Sequence, residues 1–377
     1  MNEPRGRLLF YCQSLVGIGH LTSSLRLIEE LLPHFDVDLI QGGLDVAEAP
    51  ARPGLRRLRL PTLLHDEDSG DFHDPAGGHD LPAVWAARQQ AIAAFLQPPY
   101  RAMMVEFYPF GRRRFKPEIL EMFRAVHEAS GPVPVFCSVR EVLVPRPVEN
   151  ERRMVAAVRK HIHTVFVRGD PRLLRLDETF SLAPEIADRL CYTGYISPPP
   201  PRHRPPRQAR VLVSQGGGDV GRELLQAVIA TAPLLPELHF LLAAGARTPA
   251  AELAALRASA RSHNVEVVPF LADFPERLLS AALSINMGGD NTLLDVLSAG
   301  TPSLAYPYQV NPEQGLRIRR FAEKGLLHEL TPADLAPDRL KVRIAQALRA
   351  PAPDFAPALD GARVTSERIR AVLAEAA

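Results

Sequence analysis

Two doubly wound, Rossmann-like α/β domains facing a cleft are expected from this sequence, and three observations lead there. Short apolar runs alternate with stretches of helical periodicity in both halves of the chain, which is the pattern of a parallel sheet with crossover helices. The alternation stops at a proline-rich stretch and then begins again. The 377 residues are enough for two domains that each bury a core. The expected division is residues 1–196 as an N-terminal domain, 197–208 as a proline-rich linker, 209–360 as a C-terminal domain and 361–377 as a closing helix.

In the first half, residues 7–12 read as a strand and residues 14–20 as a glycine-containing turn. Residues 21–32 follow as an amphipathic helix with Leu21, Leu25, Ile28 and Leu32 on one face. Residues 36–41 and 55–60 supply two further strands and residues 80–96 a helix. Between them residues 61–80 form a long polar loop, of a length that suits a lid over an acceptor. Residues 103–107, 133–138 and 164–167 repeat the strand pattern with helical segments between them, and residues 191–193 close the sheet. Residues 195–208, YISPPPPRHRPPRQ, contain four consecutive prolines, which exclude a helix or central strand and favour a stiff extended spacer. In the second half, strands expected at 211–214, 239–243, 265–268, 283–286 and 303–305 alternate with helices. Residues 340–348 and 361–375 are helical candidates.

Composition removes several classes. A net charge of +1 and 46% hydrophobic residues describe an ordinary globular chain with no overall bias toward nucleic acid. The three cysteines, Cys12, Cys137 and Cys191, are expected to be reduced thiols in a cytoplasmic protein. The N-terminal apolar run is too short for a secretory signal, and the most apolar region, residues 224–244, is interrupted by Pro233, Pro236, Glu237 and His239.

The chemistry is concentrated in residues 287–325. After the apolar run 281–286, Gly288 and Gly289 make a tight turn beside Asp290, and Asn291 or Thr292 can cap a helix running to about residue 299. Unpaired N–H groups and the positive end of a helix dipole suit a diphosphate. One turn beyond Asn291, Asp295 can accept two hydroxyl hydrogen bonds from a ribose. Gly300 ends the helix and Pro302 prevents its return. A second glycine turn, Gly216, Gly217 and Gly218 in SQGGGDVG, also follows a strand and opens a helix, so it can approach the same diphosphate or serve as an ordinary β-α turn. No Walker lysine follows either turn, which disfavours a P-loop ATPase. In the first half, Gly17-Ile18-Gly19-His20 places an imidazole at the first β-α turn. An ordinary pKa of about 6.5 suits His20 as a general base, although a histidine there can equally cap the helix or bond a phosphate. Arg112, Arg113, Arg114 and Lys116 around Phe115 form a basic-aromatic patch that is either a solvated face or a weak contact for an acidic acceptor or an anionic membrane surface. His65, Asp66, Glu67, Asp68, Asp71, His73 and Asp74 lack fixed ligand spacing, and no metal is expected.

The run G-G-D-N-T-x-x-D-x-x-x-x-G-x-P-x-x-x-x-P-Y, with Glu313-Gln314 after it, resembles the donor-binding half of MurG-like glycosyltransferases, which have the two-Rossmann GT-B fold and use mainly UDP-sugars. The resemblance implies that Gly288, Gly289 and Thr292 approach the donor, that Asp295 holds the ribose, that Gln314 touches the transferred sugar and that the backbone at Leu271 reads the base. The family more often has Glu where Asp295 stands, and a richer glycine turn before the histidine. It also implies that the C-terminal helix returns to the first domain. Residues 107–112, FYPFGR, and 138–143, SVREVL, resemble motifs of bacterial predicted glycosyltransferases of the same superfamily. They bring Arg112 and Arg140 to the acceptor side, beside Gly17 and Gly19, and make Glu141 the alternative base unless it is a structural ion pair.

The expected activity is an inverting, metal-independent, hexosyltransferase-type transfer from a nucleotide diphosphate sugar to a hydroxyl of a small-molecule or lipid-linked acceptor. It is expected in the cytoplasm or at the inner face of the membrane, with no cofactor and no nucleic-acid partner. A nucleotide-sugar epimerase or hydrolase of the same fold, and a non-catalytic nucleotide-sugar binding protein, are the alternatives.

Overall fold

A computed structural model describes residues 5–14, 19–43, 51–65, 72–73, 80–215, 221–245, 248–308 and 312–375. The chain divides into two units, 1–196 with 360–377, and 197–359.

The first unit is built on strands β1 (Gly6–Gln13), β2 (Phe35–Gly42), β3 (Leu55–Arg59), β6 (Ala102–Glu106), β7 (Val135–Arg140), β8 (Thr164–Arg168) and β9 (Leu190–Tyr192). The short antiparallel pair β4 (Leu64–His65) and β5 (Phe72–His73) lies apart from them. The seven strands are all parallel, in the order β3-β2-β1-β6-β7-β8-β9. Helices α1 (Gly19–Leu31), α2 (Leu81–Phe95), α3 (Lys116–Ser130) and α4 (Val148–His161) connect them. The central strands read LLFYC, AMMV and VFCSV with nearly every side chain buried, as a sheet covered on both faces requires.

One face packs Tyr11, Met103, Phe115 and Phe123 in a single core, and the other packs Phe10, Leu27, Met104 and Phe166. That second core is completed from the far end of the chain by Ile369 and Leu373 of α11 (Gly361–Glu375), and Ser366 Oγ donates to Glu30 O at 2.9 Å. The return is tight: Gly361 N donates to Tyr195 O at 2.9 Å, and a Cβ on Gly361 would stand 2.3 Å from Gly194 O.

The second unit repeats the plan with β10 (Gln208–Ser214), β11 (His239–Ala243), β12 (Val265–Val268), β13 (Ala281–Asn286), β14 (Ser303–Ala305) and β15 (His328–Glu329), all parallel in the order β12-β11-β10-β13-β14-β15. Its helices are α5 (Arg222–Thr231), α6 (Ala250–Ser259), α7 (Phe274–Ser280), α8 (Asp290–Ala299), α9 (Pro312–Glu323) and α10 (Pro337–Arg349). Val213, Val228, Leu242, Ile285 and Ile344 form the larger core and Leu212, Leu278 and Val296 the smaller one on the opposite face.

Two details differ from expectation and a third adds to it. The first helix begins at Gly19 rather than residue 21, which places His20 inside its first turn. The short strand β15 was not foreseen, because its two residues carry no periodic signal. Residues 197–208, expected as a stiff spacer, are fastened to the second unit by side chains: Ser298 Oγ donates to Pro198 O at 2.9 Å, and Arg207 donates to Ala281 O at 2.5 Å and to Gly300 O. Proline prevents ladder bonding there, so side chains do the anchoring.

Candidate active site

In both sheets the strand order reverses between the first and fourth strands of the sheet in chain order, β1 beside β6 and β10 beside β13. Open α/β sheets bind ligands outside the carboxyl ends of their strands at that switch point.

In the first unit the switch point assembles an acid-base couple. β1 ends at Gln13, α1 presents His20, and β6 ends at Glu106, with Tyr11 level with Val105 in the ladder. His20 Nδ1 lies 2.6 Å from Glu106 Oε1. The carboxylate is fully buried and the imidazole 15% exposed. Arg168, the last residue of β8, donates through Nη2 to the same Oε1 at 3.0 Å, and Arg112 Nη2 stands 3.9 Å from Oε2.

Burial alone would raise the Glu106 pKa, but His20, Arg168 and Arg112 outweigh it and hold the carboxyl at about 2. Burial lowers the His20 pKa, and nearby Arg140 and Arg112 add to the lowering against the pull of Glu106. At neutral pH the couple is therefore a carboxylate and a neutral imidazole. The carboxylate can only accept, so Nδ1 carries the proton and Nε2 keeps its lone pair.

The residues after Glu106 explain why the couple holds its shape. Phe107 N donates to Ser138 O at 2.8 Å, and Gly111 N closes back onto Phe107 O at 2.7 Å. Phe107 has φ +70° and Arg112 φ +59°, unusual for residues with side chains. A Cβ on Gly111 would lie 2.2 Å from the Phe107 ring, so the turn needs glycine. The Phe107 ring packs edge-on to His20 with centroids 5.6 Å apart, and the Arg112 guanidinium lies 5.5 Å from the centroid of the same ring. Arg112 Nε donates to Gln13 O at 2.6 Å. Gln13 is fixed in turn by the buried Arg88, which donates to Gln13 Oε1 at 2.8 Å and grips Glu118 through Nε and Nη2, both at 2.8 Å. Tyr11 OH completes that network on Glu118 at 2.6 Å.

Of the residues assigned to this unit from sequence, His20, Gly19, Arg112 and Arg140 lie at the switch-point edge of the sheet, and Gly17 is outside the described residues. Glu141 is buried, with its side chain against Gly169, where an added Cβ would come within 2.5 Å of Glu141 Cβ. The carboxylate bonded to His20 is that of Glu106, which sequence reading passed over as the polar end of a strand. Its signal was present: an acid closes the apolar run AMMV directly before the FYPFGR motif.

In the second unit β13 ends at the buried Asn286, whose Oδ1 accepts Gly288 N at 2.9 Å and whose Nδ2 donates to Ser284 Oγ and Ser303 Oγ at 3.1 and 3.0 Å. Gly288 has φ +70°, and a Cβ there would meet Ile318 Cδ1 at 2.2 Å. The expectation that Asn291 or Thr292 caps α8 is corrected. The N-cap is Gly289, extended at φ −62° and ψ 144°, and the helix starts at Asp290. With glycine at the cap, no cap side chain accepts from the first-turn N–H groups.

Asp290 stands 3.5 Å from the buried Arg317 of α9, and Asp295 is half-buried one turn on. Gln314 is spent on backbone, its Nε2 donating to Met287 O at 2.5 Å and its Oε1 accepting Tyr308 N at 2.9 Å. Leu271 packs against the smaller core, and Gly216, Gly217 and Gly218 lie outside the described residues. At the end of β10, Ser214 Oγ and Gln215 Oε1 are buried without a hydrogen-bond partner among the described residues. A groove of about 630 Å³ between α5 and α6 holds none of these residues. Among the described residues, no group of three or more His, Cys, Asp or Glu could hold a metal. None of their helices is long and apolar enough to cross a membrane.

Solved structures with this arrangement are GT-B glycosyltransferases. The UDP-glucosyltransferase of Polygonum tinctorium superimposes with a TM-score of 0.63 at 12% identity, over 100% of this chain and 94% of that one. The MurG of Acinetobacter baumannii does so with a TM-score of 0.55 at 14% identity, over 98% of this chain and 99% of that one. The chain therefore has the GT-B fold, two Rossmann-like domains in succession. More particularly, residues 211–361 match the glycosyltransferase family 28 C-terminal domain, in the half of the chain that carries the motif resemblance. The UDP-N-acetylglucosamine–N-acetylmuramyl-(pentapeptide) pyrophosphoryl-undecaprenol N-acetylglucosamine transferase of Acidiphilium cryptum is 28% identical over 144 residues, 37% of this chain and 39% of the relative. The enzyme of that name from Rhizobium meliloti is 32% identical over 117 residues, 29% of this chain and 31% of the relative. The chain thus matches well under half the length of these curated relatives.

Proposed function

We propose that this protein is an inverting glycosyltransferase that moves a sugar from a nucleotide diphosphate donor, a UDP-sugar, to a hydroxyl acceptor without a metal. The observation that carries the reading is the 2.6 Å contact of His20 Nδ1 with the buried Glu106 carboxylate, in a chain whose residues 211–361 match the glycosyltransferase family 28 C-terminal domain.

His20 Nε2 takes the acceptor proton. The hydroxyl oxygen forms a bond to the anomeric carbon from the face opposite the diphosphate, and the carbon–oxygen bond to the diphosphate breaks with its electron pair. Glu106 stabilises the imidazolium as it forms, as a buried carboxylate does for any histidine base. The departing diphosphate meets the uncapped N-terminus of α8 and the turn at Gly288 and Gly289. Fixed dipoles aimed at developing charge supply the stabilisation that a metal gives in other sugar transferases. Asp295 holds the ribose, and Asp290, Asn291, Thr292 and the turn at Gly216–Gly218 belong to the donor side. Gln314, its amide held by the backbone of Met287 and Tyr308, belongs to the donor side and touches the transferred sugar. Arg112 and Arg140 belong to the acceptor side.

The acceptor is a small or lipid-linked alcohol, and the reaction takes place in the cytoplasm or at the inner face of the membrane. The names of the curated relatives, which use UDP-N-acetylglucosamine and a lipid-linked acceptor, support that class. Incubation with UDP-sugars in the presence and absence of alcohol acceptors tests the reading, with chelator present throughout. Acceptor-dependent UDP release giving a product of inverted anomeric configuration is expected. Release without acceptor would replace this reading by a hydrolase or epimerase.

A further inference from the structure

The two hydrogen bonds to Glu106 Oε1 come from different sources of charge. His20 Nδ1 reaches it from α1 at 2.6 Å, and Arg168 Nη2 reaches it from β8 at 3.0 Å. Glu106 is fully buried and Arg168 is 5% exposed. A buried carboxylate needs a cation nearby, because desolvation otherwise drives it to take a proton. If His20 were the only cation within reach, the pair would meet that need by keeping the imidazole protonated, and an imidazolium cannot accept a proton. A permanent cation on the same oxygen removes the conflict, since guanidinium stays charged at every physiological pH.

We propose that Arg168 is a positioning residue whose fixed charge on Glu106 Oε1 lets the carboxylate stay ionised while His20 stays neutral, so that the base is loaded for use at neutral pH.

The inference deepens the proposed function and rests on His20 being its base. Other charged and titratable groups also surround the imidazole, and Arg140 and Arg112 lower its pKa as well. Arg112, from the loop after β6, is 3.9 Å from Oε2 and makes its hydrogen bond to Gln13 O. Arg140 and Glu141 stand at the end of β7, and Arg140 acts on His20 through space. Cys12 of β1 is kept a neutral thiol by burial and by Glu106, at about 12, and Cys137 of β7 is pushed up for the same reasons. Among the described residues Arg168 alone shares the oxygen that His20 uses.

Histidine-selective 15N NMR of the full chain reads this directly, with the His20 signal assigned by its loss in His20→Gln. The expected wild-type midpoint lies below the ordinary 6.5. Arg168→Met should raise it by about one unit or more, the size of effect of a charge within hydrogen-bonding range. Arg168→Gln, which keeps a donor for Oε1 but not the charge, should raise it similarly, and it decides alone if the Met variant does not fold. Arg168→Lys should return the midpoint toward the wild type. An unchanged or lowered midpoint in the neutral variants, or a Lys variant that titrates like Met, overturns the proposal. The measurement needs neither donor nor acceptor, so a chain that transferred no sugar would fail the functional reading without touching this result.

Discussion

Replacing Glu106 by Gln separates charge from geometry at the proposed base. Glu106 Oε1 already accepts from both His20 and Arg168, whereas among the described residues Oε2 has no hydrogen-bond partner, and Arg112 Nη2 stands 3.9 Å from it. The glutamine amide can keep its oxygen in the Oε1 position, so Nδ1 retains its proton and Nε2 its lone pair. What disappears is the negative charge. An opposite charge at this range is worth about one to three pKa units to a histidine, so the His20 pKa should fall by that amount. With the proton about half transferred in the transition state, roughly half of that reaches the rate, a loss of about 3- to 30-fold. His20→Ala removes the base itself and should cost about 10²- to 10⁴-fold. The assay is acceptor-dependent UDP release across pH, in which Glu106→Gln should lower the plateau and move the acidic limb to lower pH. A variant with wild-type rate and limb would show that the couple is idle. A loss equal to that of His20→Ala would mean that Glu106 does more than carry charge.

Acid should destabilise the first unit in two stages. His20 is a base whose folded pKa is lowered, so the unfolded chain takes its proton first and stability starts to fall below about 6.5. Glu106 is an acid whose folded pKa is depressed from 4.5 to about 2, so its contribution is complete above 4.5 and lost as pH falls toward 2. That second part is about 3 kcal/mol and should be missing in Glu106→Gln; denaturant unfolding at a series of pH values measures both, and a flat profile contradicts them. Gly361→Ala should detach the start of α11, because its Cβ would lie 2.3 Å from Gly194 O. A loss of about 1–3 kcal/mol, seen as a lower midpoint in thermal unfolding, is expected, and an unchanged midpoint refutes the account of that return.

The two sheets were legible because buried parallel strands are continuous apolar runs, and AMMVE, VFCSVR and AALSIN stand out between amphipathic helices. His20 was legible for a local reason, an imidazole at the first β-α turn. Its partner was not, because the contact depends on β6 lying next to β1 across 86 residues of chain, and strand order is a tertiary fact. Arg168 was hidden in the same way, as the charged end of TVFVR. At α8 the apolar pattern located the helix but not its first residue, since asparagine and threonine are good caps and glycine at 289 took the role only because the preceding turn left it extended. The prolines of residues 197–208 predict a stiff extended spacer, and nothing local shows that Arg207 binds the carbonyls of Ala281 and Gly300.

The central claim, a nucleotide diphosphate sugar as substrate, is tested most directly by thermal stabilisation of the protein with UDP, GDP, dTDP and their sugars, beside Asp295→Ala. A ligand at about 100 times its Kd should stabilise the unit that binds it by roughly 2.7 kcal/mol, a shift of several degrees. The account predicts a shift selective for UDP and its sugars that is lost in Asp295→Ala. No shift with any nucleotide would contradict it.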